Sequence, residues 1–159
     1  MSTTSESVLI ATTALGSATV AGVFFAFDAF VLHALAALPE GRGAEAMRSI
    51  NVSAVRPALM TALFGTAVLA AGVGVLAVRS DGGTQAVLLG FGAGAYLFGT
   101  VLTTVVRNVP LNNALAAPGG DAGWDGYLRR WRRANRLRMV FALAAAAVVL
   151  AGLAGRLGA

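Results

Sequence analysis

The chain has 159 residues, of which 57% are hydrophobic and only 12% charged, and its mean hydropathy is +0.76. A soluble domain carries charge on about a quarter of its residues because its surface faces water, so this composition excludes a soluble globule, a disordered tail and a small exported domain. The net charge is +5, all 12 basic residues are arginine, and the absence of cysteine removes disulfides, iron–sulfur clusters and thiolate zinc sites.

A membrane-crossing helix needs about 20 apolar residues. The first candidate covers 8–34: no charge occurs from Val8 to Phe27, and Asp28 and His33 follow near its end. No basic residue precedes it, so it reads as a first span rather than a signal peptide. A loop is expected over 38–56, with Arg42, Arg48, Asn51 and Arg56 in it. The second span, 57–78, opens on Pro57, which a helix tolerates in its first turn. The third covers 85–106. In it, Gly90 and Gly94 form a GxxxG pair suited to close helix approach, expected inside the bundle, with a homo-oligomer contact as the alternative. Thr100, Thr103 and Thr104 are expected to satisfy carbonyls of their own helix. A second long loop follows over 107–135, and the fourth span is 136–156. The expected fold is therefore all-α: a single integral membrane domain over 1–159, a four-transmembrane-helix bundle with an amphipathic interfacial segment before the last helix.

Four spans put both termini on one side. Ten of the 12 arginines fall on the two long loops and the start of span four, and only Arg79 and Arg156 fall at the other end. Basic residues in short loops stay cytoplasmic. Both long loops are expected inside, and both termini on the non-cytoplasmic side of a bacterial-type inner or plasma membrane. A weak internal repeat accompanies this arrangement: His33-Ala-Leu-Ala-Ala with Pro39 and Gly41 matches Asn113-Ala-Leu-Ala-Ala with Pro118 and Gly119.

Almost every side chain with chemistry to offer converges on that one end: Asp28, His33, Asn51, Arg56, Arg107, Asn108, Asn112, Tyr127, Trp131, Asn135 and Arg138. At about 100° per residue, Trp124, Tyr127, Leu128, Trp131, Asn135 and Arg138 share one helix face, while Arg129, Arg132, Arg133 and Arg136 lie on the other, with Arg130 on a flank. The outer arginines suit anionic lipid at the interface. Asn135 and Arg138 instead continue the aromatic face towards the bundle, where polar groups are costly unless paired or used. Asp28 is expected chiefly in a structural ion pair. His33, the single histidine, has the chemistry of a general base or of an axial haem ligand, although with no second histidine and no cysteine the expectation is that no metal or cofactor is held.

The string Phe24-Phe-Ala-Phe-Asp-Ala-Phe, Asn51 followed by Arg56-Pro57, Asn108-Val-Pro-Leu-Asn112 and the Trp131…Asn135…Arg138 series resemble one integral-membrane family, long catalogued as a domain of unknown function, that includes the fungal anthrone oxygenases. The resemblance runs from about Gly16 to Leu150. It implies a four-helix membrane bundle and, as in the fungal members, oxidation of an anthrone to an anthraquinone by dioxygen without metal or flavin. It implies Asn108, Asn112, Asn135 and Arg138 as donors to the developing oxyanion, Trp131 as a stacking platform for the ring, and Asn51 and Arg56 as the rest of a polar wall. Arg107 and Tyr127, at the same end, are expected to contact the substrate. No base is assigned by the resemblance, and Asp28 and His33 both stay open. The expected partners are the lipid bilayer and a small aromatic molecule. Nucleic acid is set aside because the arginine run sits against a membrane that explains it. The alternatives are a non-enzymatic accessory or lipid- or small-molecule-binding membrane subunit, and a haem protein using His33.

Overall fold

The computed structural model describes residues 3–80 and 82–157. Five helices follow one another: α1 (Thr3–Ala36), α2 (Arg42–Ala54), α3 (Pro57–Arg79), α4 (Thr84–Ala116) and α5 (Trp124–Leu157). All but α2 are long and apolar enough to cross a membrane. The outward faces carry Leu15, Phe25, Phe64, Val68, Val87, Phe91, Phe98 and Leu150, all exposed. In water so continuous an apolar surface would drive association, whereas hydrocarbon accepts it. Hydroxyls inside the apolar run of α1 need no water: Thr12, Thr13, Ser17 and Thr19 each donate to the carbonyl four residues earlier at 2.8–2.9 Å.

The four long helices form a closed ring in which α1 packs on α5, α5 on α4, α4 on α3 and α3 on α1. Its core has three layers. At one end Ile10, Val73, Leu89, Val149 and Leu153 interlock. Val20, Phe24, Leu63, Tyr96, Ala142 and Ala145 fill the middle. At the other end Leu32, Leu35, Met47, Leu115, Tyr127 and Trp131 pack together. Close approach of α4 to α5 depends on Gly92 and Gly99, where an added Cβ would meet Val149 and Phe141. Gly90 and Gly94 border a groove between α3 and α4, where a Cβ on Gly90 would lie 3.6 Å from that of Ala77. The tighter glycine contacts of α4 are those of Gly92 and Gly99.

Glu6 and Arg156 pair at 2.9 Å, and Gln85 Nε2 donates to the Gly155 carbonyl. The first and last described turns therefore lie at one end of the bundle, together with the α3–α4 turn, as four spans require.

The segments expected as loops are largely helical. Helix α2 packs Ala44 and Met47 under the bundle's other end, and Arg48 Nε donates to the Leu115 carbonyl at 3.0 Å. The third span does not stop at Val106. It continues through Pro110 to Ala116, because wide π-helical turns over 95–102 and 104–108 precede the proline. Proline clashes with the carbonyl four residues earlier in a regular helix, and a widened turn relieves that clash. The interfacial segment and the last span are likewise one 34-residue helix, since nothing between Trp124 and Met139 breaks it. The two halves of the weak repeat end alike, each turning on a left-handed glycine after its proline: Gly41 at φ 79° and Gly119 at φ 72°.

Candidate functional site

Helix α4 presents Thr100, Thr104, Asn108 and Asn112 at four-residue intervals, which is one face of a helix. Across from it lies the α5 face of Tyr127, Trp131, Asn135 and Arg138, all buried. The contacts run rung by rung. Thr100 Oγ1 donates to the Arg138 carbonyl at 3.1 Å. Arg138 Nη1 donates to Thr104 Oγ1 at 3.4 Å. Asn112 Oδ1 accepts from both Trp131 Nε1 at 2.9 Å and the Tyr127 hydroxyl at 3.0 Å.

Asn135 is completely buried, and both its amide nitrogen and its amide oxygen are hydrogen-bonded. Its Nδ2 donates to the Phe24 carbonyl of α1 at 2.8 Å, and its Oδ1 accepts from Arg138 Nη2 at 3.1 Å and Nε at 3.3 Å. Arg138, 6% exposed, is thereby aimed between two rings. Its guanidinium carbon sits 4.0 Å from the centroid of Phe24 and 5.0 Å from that of Trp131. Among the described residues no carboxylate lies within ion-pair distance of it. Ring faces attract a desolvated guanidinium by up to about 2 kcal/mol each, but they do not neutralise its charge. Phe27 extends the aromatic wall, with its ring 5.4 Å from that of Trp131.

One rung lacks its contacts. Asn108, 1% exposed, lies between Thr104 and Asn112 on the same face, and neither Nδ2 nor Oδ1 has a hydrogen-bond partner. The amide of Asn51 on α2 lies beside the Tyr127 hydroxyl, yet its Nδ2 is also buried without an acceptor. A buried polar atom left unpaired costs about 1–3 kcal/mol, so the two Asn108 atoms are open to a polar partner.

The expected site residues thus divide. Asn51, Asn108, Asn112, Tyr127, Trp131, Asn135 and Arg138 come together. Arg56, Arg107 and His33 do not, since all three side chains are exposed. Arg56 caps α3, with its backbone extended ahead of Pro57. His33 lies off the face that buries Leu32 and Leu35 in the core. Arg107 is excluded by phase. In a regular helix the inward residues Thr100 and Thr103 would be followed by position 107, and the widened turn over 104–108 delays the face by one residue, bringing Asn108 inside. Asp28 is taken by Arg136, whose Nε reaches its two oxygens at 2.9 and 3.0 Å, with Arg132 at 4.0 Å. Two arginines expected on lipid therefore clamp α1 to α5.

Two contributors were not picked out from the sequence. Thr104 donates to the Thr100 carbonyl of its own helix at 2.8 Å, as expected, but it also accepts from Arg138 across helices, and its four-residue spacing from Asn108 and Asn112 is the signal for that second role. The Phe24 carbonyl holds Asn135, and a backbone group leaves no mark in sequence.

A family model described as anthrone oxygenase matches residues 57–148, more than half of the chain. The matched stretch contains Asn108, Asn112, Trp131, Asn135 and Arg138, and excludes Phe24, Asn51 and Arg56. No curated protein and no solved structure gives a significant match.

Proposed function

This chain belongs to the anthrone oxygenase family, and on that footing we propose that its polar end binds a flat hydroxy- or keto-aromatic of the anthrone or hydroquinone type and promotes its oxidation by dioxygen. The observation that carries the reading is Arg138: a buried cation with no carboxylate partner, held by Asn135 between aromatic rings and near the unpartnered amide of Asn108.

An anthrone methylene is a carbon acid whose anion places charge on the ring oxygen. A guanidinium about 4 Å from that oxygen stabilises it by about 4 kcal/mol at an effective dielectric near 20, equivalent to about three pKa units. In this reading Arg138 and the Asn108 Nδ2 donate to the oxygen, and the faces of Trp131 and Phe27 receive the rings. Asn112 and Asn135 are positioning residues: the first orients Trp131 and Tyr127, the second Arg138. The benzylic proton leaves to water, since Asp28 is bound to Arg136 and His33 is exposed. The anion then gives its electrons to dioxygen, a C–O bond forms, and the peroxide takes up a proton. Loss of the second benzylic proton with cleavage of the O–O bond leaves the ketone and releases water. One CH2 and one O2 thus become one C=O and one H2O. The substrate anion supplies the electrons, so the reading calls on no metal or flavin.

The same reading places the polar end in the cytoplasm and both termini outside, because ten of the 12 arginines lie at that end. The activity is tested with purified protein in nanodiscs, following oxygen uptake and quinone absorbance over a panel of anthrones and hydroquinones. Acceleration over protein-free membranes is expected, and its loss in Arg138→Met. A folded wild-type protein that accelerates none of the panel rejects the reading.

A further inference from the structure

Besides Arg138, six arginines lie at or near the polar ends of α4 and α5, and they do not behave alike. On one flank of α5, Arg132 and Arg136 face Asp28, and Asp125 lines a groove with them, with Arg129 and with Arg133, which borders both flanks. That flank has carboxylates beside its arginines. On the opposite flank, Arg107 from α4 and Arg130 and Arg133 from α5 line a groove of about 430 Å³ floored by Val106, Leu111 and Ala134. All three arginines are exposed, and among the described residues none has a carboxylate within ion-pair distance. Arg130 Nε donates to the Gly126 carbonyl, which fixes its stem while leaving the terminal nitrogens free.

We propose that this groove is a binding site for the headgroup of an anionic phospholipid. Three guanidiniums converging from two helices match a phosphate diester, since each offers a planar pair of donors. The apolar floor suits the glycerol and first acyl carbons. Leu102, Val105, Val106 and Val109, on the adjoining part of α4, are exposed and give the acyl chain a path along the membrane face. The place of the groove, where a spanning helix meets its arginine-rich end, is the level of the headgroups. A free anion would gain the charge contacts but leave the apolar floor and the exposed valines uncovered. This site is separate from the buried Arg138 cluster and holds whether or not the oxygenase reading does.

The test uses full-length protein, delipidated in a neutral detergent, with lipid adducts counted by native mass spectrometry. Phosphatidylglycerol, phosphatidylcholine and inorganic phosphate are titrated in separate arms. At about 1 kcal/mol per arginine near an anionic surface, each of Arg107→Gln, Arg130→Gln and Arg133→Gln should weaken phosphatidylglycerol binding about 5-fold, and the triple variant about 100-fold. Arg129→Gln, on the opposite flank, should leave binding unchanged. Circular dichroism and thermal unfolding of the triple variant should match wild type, separating lost binding from lost fold. The proposal is overturned if phosphatidylcholine binds as tightly as phosphatidylglycerol, if the folded triple variant keeps wild-type affinity, or if inorganic phosphate alone competes at equal concentration.

Discussion

Replacing Asn108 by leucine separates a group kept for a ligand from one kept for the fold. The side chain is 1% exposed, and both of its polar atoms are buried without partners. Each such atom costs about 1–3 kcal/mol relative to water, so Asn108→Leu, close in volume and free of polar atoms, should stabilise the ligand-free protein by about 1–3 kcal/mol even after imperfect packing. For a chain of this size, 1 kcal/mol moves the unfolding midpoint by about 2–4 °C. A rise of about 2–12 °C is therefore expected in detergent-solubilised protein followed by tryptophan fluorescence. In parallel, anthrone turnover should fall by about 10²-fold, the cost of removing one donor to a developing oxyanion. A midpoint lowered by more than 2 °C would refute the reasoning, because it would mean that the amide is satisfied and structural in the free protein. A raised midpoint with unchanged turnover would remove Asn108 from the site.

Asn135→Ala should lower stability by about 3–5 kcal/mol in thermal unfolding, since it leaves the Phe24 carbonyl unpaired and an aimed cation without its acceptor. Asp28→Asn breaks a half-exposed pair with Arg136 and should cost no more than about 1 kcal/mol, leaving quinone formation within about 2-fold of wild type; a 100-fold loss of turnover would instead make Asp28 the base. Gly99→Val forces a side chain into Phe141 and should destabilise by about 1–3 kcal/mol, whereas Gly90→Val, on the α3–α4 groove, should shift the unfolding midpoint less.

Much of this arrangement is legible in the sequence. Helix periodicity over Trp124–Arg138 separates Tyr127, Trp131, Asn135 and Arg138 from the outer arginines, and all four are buried. Low charge content made the inward polar residues easy to find. What escaped the sequence has physical causes. A hydrophobic-run criterion ends a span at the first charge and proline, so Arg107 and Pro110 hid the last turns of α4. A π-helical turn changes the phase by one residue and no residue type announces it, which is why Arg107 and Asn108 were both expected inside. Ion pairing between helices distant in sequence is equally invisible, so Arg132 and Arg136 read as lipid anchors although Asp28 claims them. His33 is suggested by its chemistry and Arg56 by the family resemblance, and geometry leaves both at the surface.

The central claim is that the uncompensated charge of Arg138 stabilises an aromatic anion. It is tested most directly by mixing wild-type protein with an anthrone under strictly anaerobic conditions and recording the absorption spectrum at a pH where the free compound is neutral. The account predicts the anthrolate band with wild type and its absence with Arg138→Met. A neutral spectrum with wild type, or an anthrolate band of equal strength in the folded variant, would contradict it.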